Sequence, residues 1–95
     1  MDTLNCCLVG YGGIAEFHAD ACRQIEGVRL HTLMGRRLEP ARDFAQRHGF
    51  VRATDSLEEA LADDEIDAVI IASPSEVHYD QTMASLDAGK HVLVE

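Results

Sequence analysis

The sequence predicts an α/β domain built on a doubly wound parallel sheet. Its strand-like segments are unbroken apolar runs, helical segments alternate with them, and glycines stand at many of the boundaries. Unbroken apolar runs are typical of parallel strands covered on both faces, whereas half-exposed strands alternate apolar with polar residues. Because crossovers between parallel strands are right-handed, we expect the strand order 3-2-1-4-5.

The order of elements along the chain is β-α-β-α-β-α-β-α-β. We expect strands at residues 4–9, 28–34, 50–53, 66–72 and 91–94. Ser56 and Glu59 form a capping box that begins a short third helix, and the fourth helix is expected over residues 76–88. Two longer helices are predicted from apolar residues at helical spacing, namely Ile14, Phe17, His18, Ala21, Cys22 and Ile25, then Leu38, Ala41, Phe44, Ala45 and His48.

Length and composition place the chain in a narrow class. Its 95 residues correspond to one small domain, residues 1–95. A net charge of −9 argues against a nucleic-acid partner. No apolar run approaches the roughly 20 residues that span a bilayer, and no basic region precedes the first apolar run, so we expect a cytoplasmic protein without a membrane partner. Three cysteines without a C-x-x-C spacing predict buried thiols, with no disulfide framework and no metal site.

A glycine-rich turn follows the first strand. Residues 10–15 read GYGGIA and match G-x-G-x-x-A, with a strand before the match and a helix after it. In that context Gly10 permits the tight turn, Gly12 lets a pyrophosphate approach the backbone, and Ala15 lets the helix pack on the strand. The alternative is a glycine turn that only packs. We therefore predict a dinucleotide site of the Rossmann type that includes Tyr11, Gly13 and Ile14 at the helix N-terminus.

The end of the second strand predicts which dinucleotide binds. An NAD-specific site has an acidic residue there for the adenosine ribose, but this chain has Gly35, followed by Arg36 and Arg37. Removing the acid removes repulsion against a 2′-phosphate, and arginine is a forked, permanently charged phosphate donor. We predict NADP as the cofactor, with NAD as the weaker alternative. Otherwise, the two arginines are only the solvated start of the second helix.

Two later segments carry a family resemblance. Residues 66–78 read IDAVIIASPSEVH and residues 84–95 read ASLDAGKHVLVE. They resemble the Gfo/Idh/MocA family of oxidoreductases, and the GKHV…E ending is the most specific part of the match. The resemblance places the end of the fourth strand, the loop that follows it and a histidine beyond the loop near the cofactor; these residues are Ala72, Ser73, Pro74, Ser75 and His78. Ser75 stands where the family often has asparagine, and for His78 packing or capping at the helix start is an equal alternative.

The resemblance also implies what lies outside this sequence. Family members carry a Glu-Lys-Pro motif with a catalytic lysine. Glu95 matches its glutamate and is expected to lie at the cofactor site. The lysine would follow Glu95, and the family's catalytic histidine and aspartate lie in its second domain, so no catalytic residue is assigned here. A second domain would bind substrate and form a homo-oligomer, and the sheet here is expected to be incomplete at its C-terminal end. His18 matches a family histidine for which core or interface packing is expected, and Lys90 is expected to be a solvated turn residue.

These expectations lead to one principal function and two rivals. The principal one is the dinucleotide-binding part of an NADP-dependent oxidoreductase acting on a sugar, cyclitol or related carbonyl or hydroxyl compound, inactive as this segment alone. The first rival is a non-catalytic NAD(P)-binding sensor or regulator, which would use the same fold. A domain for coenzyme A or S-adenosylmethionine is disfavoured by Arg36 and Arg37.

Overall fold

The computed structural model describes residues 3–95 and has the predicted topology. The strands are β1 (Leu4–Val9), β2 (Val28–Met34), β3 (Arg52–Thr54), β4 (Ala68–Ile71) and β5 (His91–Val94). The helices are α1 (Gly13–Arg23), α2 (Leu38–His48), α3 (Leu57–Leu61) and α4 (His78–Asp87), with a 3₁₀ turn at Ser75–Val77. All strands pair in parallel in the order β3-β2-β1-β4-β5, which confirms the predicted doubly wound Rossmann sheet.

The core lies on the two faces of this sheet. Cys6 and Leu8 of β1 face a cluster that contains buried residues of α1 and α2, whereas Cys7 and Val9 face a second cluster with Ala60 of α3. Neighbouring strand residues point to opposite faces, as the pleat requires. Burial raises the pKa of the Cys6 thiol to about 11 and that of Cys7 to about 12. Both thiols are therefore neutral at physiological pH and serve as small apolar side chains.

The apolar face predicted for α2 is largely buried in the structure. Ala41, Phe44, Ala45 and His48 are buried, and Leu38 is half-buried at the first turn. The helix ends at Gly49, which adopts the left-handed conformation with φ +81° and donates its N–H to the Ala45 carbonyl.

The face predicted for α1 is only partly correct: Cys22 is buried and His18 is half-buried, but the large apolar residues do not face the sheet. Ile14, Phe17 and Ile25 are exposed, and the residues that face the sheet are small ones: Ala15, Ala19 and Cys22. Small side chains allow a helix axis to approach the strands closely, and that close approach begins at the glycine turn. The large apolar side chains consequently point away from the sheet.

Two strand predictions were too broad because apolarity indicates burial and not pairing. The third strand was predicted at residues 50–53, but Phe50 packs in the connection, with its ring centroid 6.1 Å from that of Phe44, and pairing with β2 begins only at Arg52. The fourth strand was predicted to start at Ile66. That residue is buried, yet its N–H bonds to the Asp63 carbonyl in a turn at 3.1 Å.

Within residues 3–95, none of the helices has the length and apolar character that crossing a bilayer requires. Over the same residues, no group of three or more His, Cys, Asp or Glu side chains is placed to hold a metal ion. The cysteines Cys6, Cys7 and Cys22 are free thiols.

Candidate functional site

The turn between β1 and α1 is shaped by Gly10. Its φ of +117° is strained for any residue with a side chain, and a Cβ there would lie 2.7 Å from the carbonyl oxygen of Ala72. The Gly10 N–H donates to the Met34 carbonyl at 2.8 Å, and the Ala72 N–H donates to the Val9 carbonyl at 2.9 Å. The glycine therefore lets the carboxyl ends of β2, β1 and β4 meet at one turn.

The next two glycines leave open space at the start of α1. A Cβ on Gly12 or Gly13 would meet no atom within 4 Å, and both residues are exposed. Gly12 is the N-cap of α1, and no side chain caps the helix there. The first-turn N–H groups therefore face open space with the positive end of the helix dipole, next to exposed Ile14. This cradle fits a pyrophosphate.

Gly35 and the two arginines follow β2 on one side of this turn. Gly35 is buried, and its N–H donates to the Thr54 carbonyl at 3.0 Å. The ring of Tyr11 lies over Gly35, so that a Cβ on Gly35 would collide with it. Arg36 and Arg37 are exposed, and Arg37 is the N-cap of α2 with an extended backbone. Both guanidinium groups are thus free to reach an anion beside the turn.

On the other side of the turn, the loop after β4 is held by two side chains of α4. His78 Nε2 donates a hydrogen bond to the Ser73 carbonyl, and Ser73 Oγ donates one to Gln81 Oε1. Of the two roles considered for His78, this contact supports capping and positioning of the loop. Pro74 and Ser75 are exposed at the start of the 3₁₀ turn. Gln81 was missed because its relevance depends on this tertiary contact.

Glu95 lies beyond the end of β5, where its N–H donates to the Ile71 carbonyl at 3.0 Å. Its carboxylate contacts Nε2 of His18, whose side chain is largely buried and meets Phe17 edge-on at 5.7 Å between ring centroids. Sequence reasoning expected His18 to pack in a core or an interface and did not place it with Glu95. The adjacency of β1, β4 and β5 brings them together.

The structure thus brings the predicted residues to one edge of the sheet. Gly10, Gly35, Ala72 and Glu95 follow the carboxyl ends of β1, β2, β4 and β5 respectively, and these ends are neighbours in a parallel sheet. The strand order reverses between β1 and β4, the crevice at which open α/β sheets bind ligands. The geometry supports a dinucleotide laid across the turn, with phosphate donors in the centre.

A cleft of about 470 Å³ lies elsewhere, near the amino ends of β1 and β5, and its lining includes Asp64, Asp67 and Lys90. The prediction that Lys90 is a solvated turn residue is wrong. Its ammonium group is half-buried and donates to the carbonyls of Asp63 at 3.0 Å and Ile66 at 2.7 Å, which ties the start of β5 to the connection before β4. The cleft is remote from the glycine turn, so it is not part of the dinucleotide site.

Comparison with known proteins agrees with this geometry. Residues 4–95 match the Gfo/Idh/MocA family, described as an oxidoreductase family with an NAD-binding Rossmann fold. Among curated relatives, a 4-carboxy-2-hydroxymuconate-6-semialdehyde dehydrogenase of a Sphingobium species is 40% identical over 88 residues, which cover 93% of this chain and 28% of that protein. An NADP⁺-dependent scyllo-inositol 2-dehydrogenase of Bacillus subtilis is 35% identical, covering 93% of this chain and 27% of that protein.

Solved structures share the same fold. The crystal structure of GenD2 from gentamicin A biosynthesis, in complex with NAD, superposes with a TM-score of 0.93 at 33% identity, covering 99% of this chain and 27% of that one. The chain therefore spans little more than a quarter of the length of these relatives. The relatives differ in cofactor, since one is named for NADP⁺ and another was solved with NAD.

Proposed function

Because the chain belongs to the Gfo/Idh/MocA family of oxidoreductases, with its NAD-binding Rossmann fold, we propose that it forms the cofactor domain of an NADP-preferring dehydrogenase or reductase. The substrate class we propose is a sugar, cyclitol or related small molecule with a carbonyl or hydroxyl group. Relatives named for scyllo-inositol and for 1,5-anhydro-D-fructose support that class. Substrate contacts, the acid–base group and any oligomer contacts would come from protein outside these 95 residues.

The observation that carries the cofactor preference is the side-chain arrangement after β2. Gly35 offers no carboxylate to a ribose hydroxyl, and Arg36 and Arg37 are exposed beside it. Arg23, Arg47 and Arg52 each pair with an acid, whereas Arg36 and Arg37, like Arg29 and Arg42, have no such partner among residues 3–95. Two uncommitted guanidinium groups next to a residue without a side chain suit a 2′-phosphate.

Each part of the site would have a separate task. Gly12, Gly13 and the first turn of α1 would hold the pyrophosphate through backbone N–H groups. The loop at Ala72–Pro74, fixed by His78, would border the nicotinamide half, and Glu95 stands at the same edge. Hydride transfer is the chemistry that the bound cofactor supplies, while the protein binds and orients it.

Titration of the protein with NADPH and NADH, by fluorescence or calorimetry, tests the preference. Charge-assisted hydrogen bonds to a phosphate contribute roughly 1.5–3 kcal/mol, so we expect NADPH to bind about tenfold more tightly or better. Replacing both Arg36 and Arg37 by alanine should weaken NADPH binding and leave NADH binding unchanged.

The matched control is Arg42→Ala, which removes another exposed arginine of α2 farther along the helix. That variant should keep the preference. Equal affinity for the two cofactors in the unmodified protein, or tighter NADH binding, contradicts the proposal.

A further inference from the structure

Gly35 has a second property that the cofactor preference alone does not require. The ring of Tyr11 occupies the space beside it, so that a Cβ on Gly35 would come closer than 3.0 Å to Tyr11 Cδ2 and Cε2 and would lie 3.1 Å from Ala41 Cβ. Tyr11 is half-buried and packs against the core cluster beneath α1 and α2. The side chain missing at position 35 is replaced, in space, by the ring of residue 11.

The backbone at position 35 has no need of glycine. The glycines with positive φ in the structure are Gly10, Gly27, Gly49 and Gly89, and Gly35 is not one of them. Its φ therefore does not call for glycine, and what restricts a side chain there is the contact with Tyr11 and Ala41. The absence of a side chain at position 35 therefore leaves the space that the Tyr11 ring occupies.

Backbone hydrogen bonds hold the chain on both sides of this contact, so the side chain of Tyr11 is the part most free to move. The Gly35 N–H is bonded to the Thr54 carbonyl, and the Gly10 N–H is bonded to the Met34 carbonyl. A Cβ on Gly10 would lie 2.7 Å from the Ala72 carbonyl oxygen, so the turn that carries Tyr11 also runs close to the end of β4. A larger residue at position 35 must therefore turn the Tyr11 ring out of its packed position.

We propose that Tyr11 is a specificity-determining residue that acts together with Gly35. Its ring fills the place in which the acid of an NAD-type site would stand, and so it keeps that place free of a carboxylate and leaves the ribose end to Arg36 and Arg37. The role of Tyr11 in specificity rests on the proposed NADP preference. The steric coupling between Tyr11 and Gly35 is independent of that preference. It implies that Gly35→Asp alone does not create an NAD site.

The test is a double-mutant cycle of Gly35→Asp, Tyr11→Ala and the two together, with NADH and NADPH affinities measured for each. Gly35→Asp alone should weaken the binding of both cofactors, because the displaced ring disturbs the turn. Adding Tyr11→Ala should improve NADH binding by about tenfold or more relative to Gly35→Asp alone, a gain of about 1.4 kcal/mol, and the coupling energy is that gain minus the effect of Tyr11→Ala in the unmodified protein. Tyr11→Ala by itself should not produce that gain.

A pair of smaller substitutions separates the effect of side-chain size at position 35 from the effect of its charge. Gly35→Ala adds only a methyl group, and it should lower the thermal midpoint in the presence of Tyr11 but be tolerated beside Tyr11→Ala. Tyr11→Phe keeps the ring, so Gly35→Ala should be equally harmful in that background. If Gly35→Asp does not fold, recovery of folding in the double variant supports the coupling, and continued unfolding contradicts it.

The outcomes distinguish the two proposals. If the unmodified protein prefers NADPH but Gly35→Asp alone gains NADH affinity with Tyr11 intact, the role of Tyr11 is overturned while the NADP preference stands. If the unmodified protein shows no preference but the substitutions at positions 11 and 35 are strongly non-additive, the NADP proposal fails and the coupling stands. Additive effects in every arm would falsify the inference.

Discussion

Helices α1 and α2 are each 11 residues long and pack on the same face of the sheet, but only α2 buries large rings among its small side chains. The second helix places the ring of Phe44 in the core with no exposed surface. The first buries only small residues, and its phenylalanine, Phe17, is 68% exposed. The difference follows from the start of α1, which also borders the candidate ligand site.

The sequence of a helix that begins at a phosphate-binding turn must satisfy two structural requirements. Its first turn must leave N–H groups open to the ligand, and its inner face must sit close to the strand that precedes the turn. Ala15 and Ala19 meet the second requirement, and Gly12 and Gly13 meet the first. Helix α2 has neither requirement, so its inner face has room for the ring of Phe44 beside Ala41 and Ala45.

The largest expected effect on stability comes from removing the aromatic ring of α2. The centroid of Phe44 lies 4.3 Å from that of His48 and 6.1 Å from that of Phe50. Phe44→Ala leaves a cavity there and should lower the free energy of unfolding by about 3–5 kcal/mol in a denaturant titration. The matched change in α1, Phe17→Ala, should lower it by no more than about 0.5 kcal/mol. Similar losses for both helices would remove the contrast between them.

The sequence predicted the topology because each element left its own local signal. Mainly apolar segments between helical ones indicated the five parallel strands, and Ser56 accepts the bond from the Glu59 N–H that its capping box predicted. The inner face of α1 was not predictable in this way. Periodicity identifies an apolar stripe, but the depth at which a helix sits on a sheet decides whether large or small residues face it.

The sequence predicted the candidate site about as well as it predicted the fold, because in both cases only local patterns could be used. The residues that follow strand ends could be placed at one edge from the parallel topology alone, as with Gly10, Gly35 and Ala72. Contacts between side chains of separate loops could not be predicted from the topology. The ring of Tyr11 over Gly35 and the contact of His18 with Glu95 depend on distances that no local pattern records.

A smaller effect is expected from enlarging the inner face of α1. Ala19 is fully buried against the sheet, so Ala19→Leu should push the helix away and lower the free energy of unfolding by about 1–3 kcal/mol. Ala21→Leu makes the same change on the exposed side of the same helix and should have almost no effect. Chemical denaturation of the two variants measures the difference. A stable Ala19→Leu protein would show that α1 has room to spare above the strands.

The smallest effect on stability, with the largest effect on binding, is expected at the first turn of α1. Gly12 has φ −91° and ψ −165°, an extended conformation that valine adopts readily, and a Cβ there meets no protein atom within 4 Å. Gly12→Val should therefore change the free energy of unfolding by about 1 kcal/mol or less, the cost of a poorer N-cap residue. Its branched side chain would fill the space in front of the first N–H groups, so binding of both NADPH and NADH should be abolished. Gly12→Ala, which adds one methyl group, should weaken binding by less than the valine does.

Circular dichroism with thermal unfolding measures whether the Gly12→Val variant keeps its fold, and cofactor titration measures binding at the candidate site. Normal binding by the valine variant would mean that the pyrophosphate does not lie on this turn. Unfolding of that variant would mean that the open space beside Gly12 is needed by the protein itself.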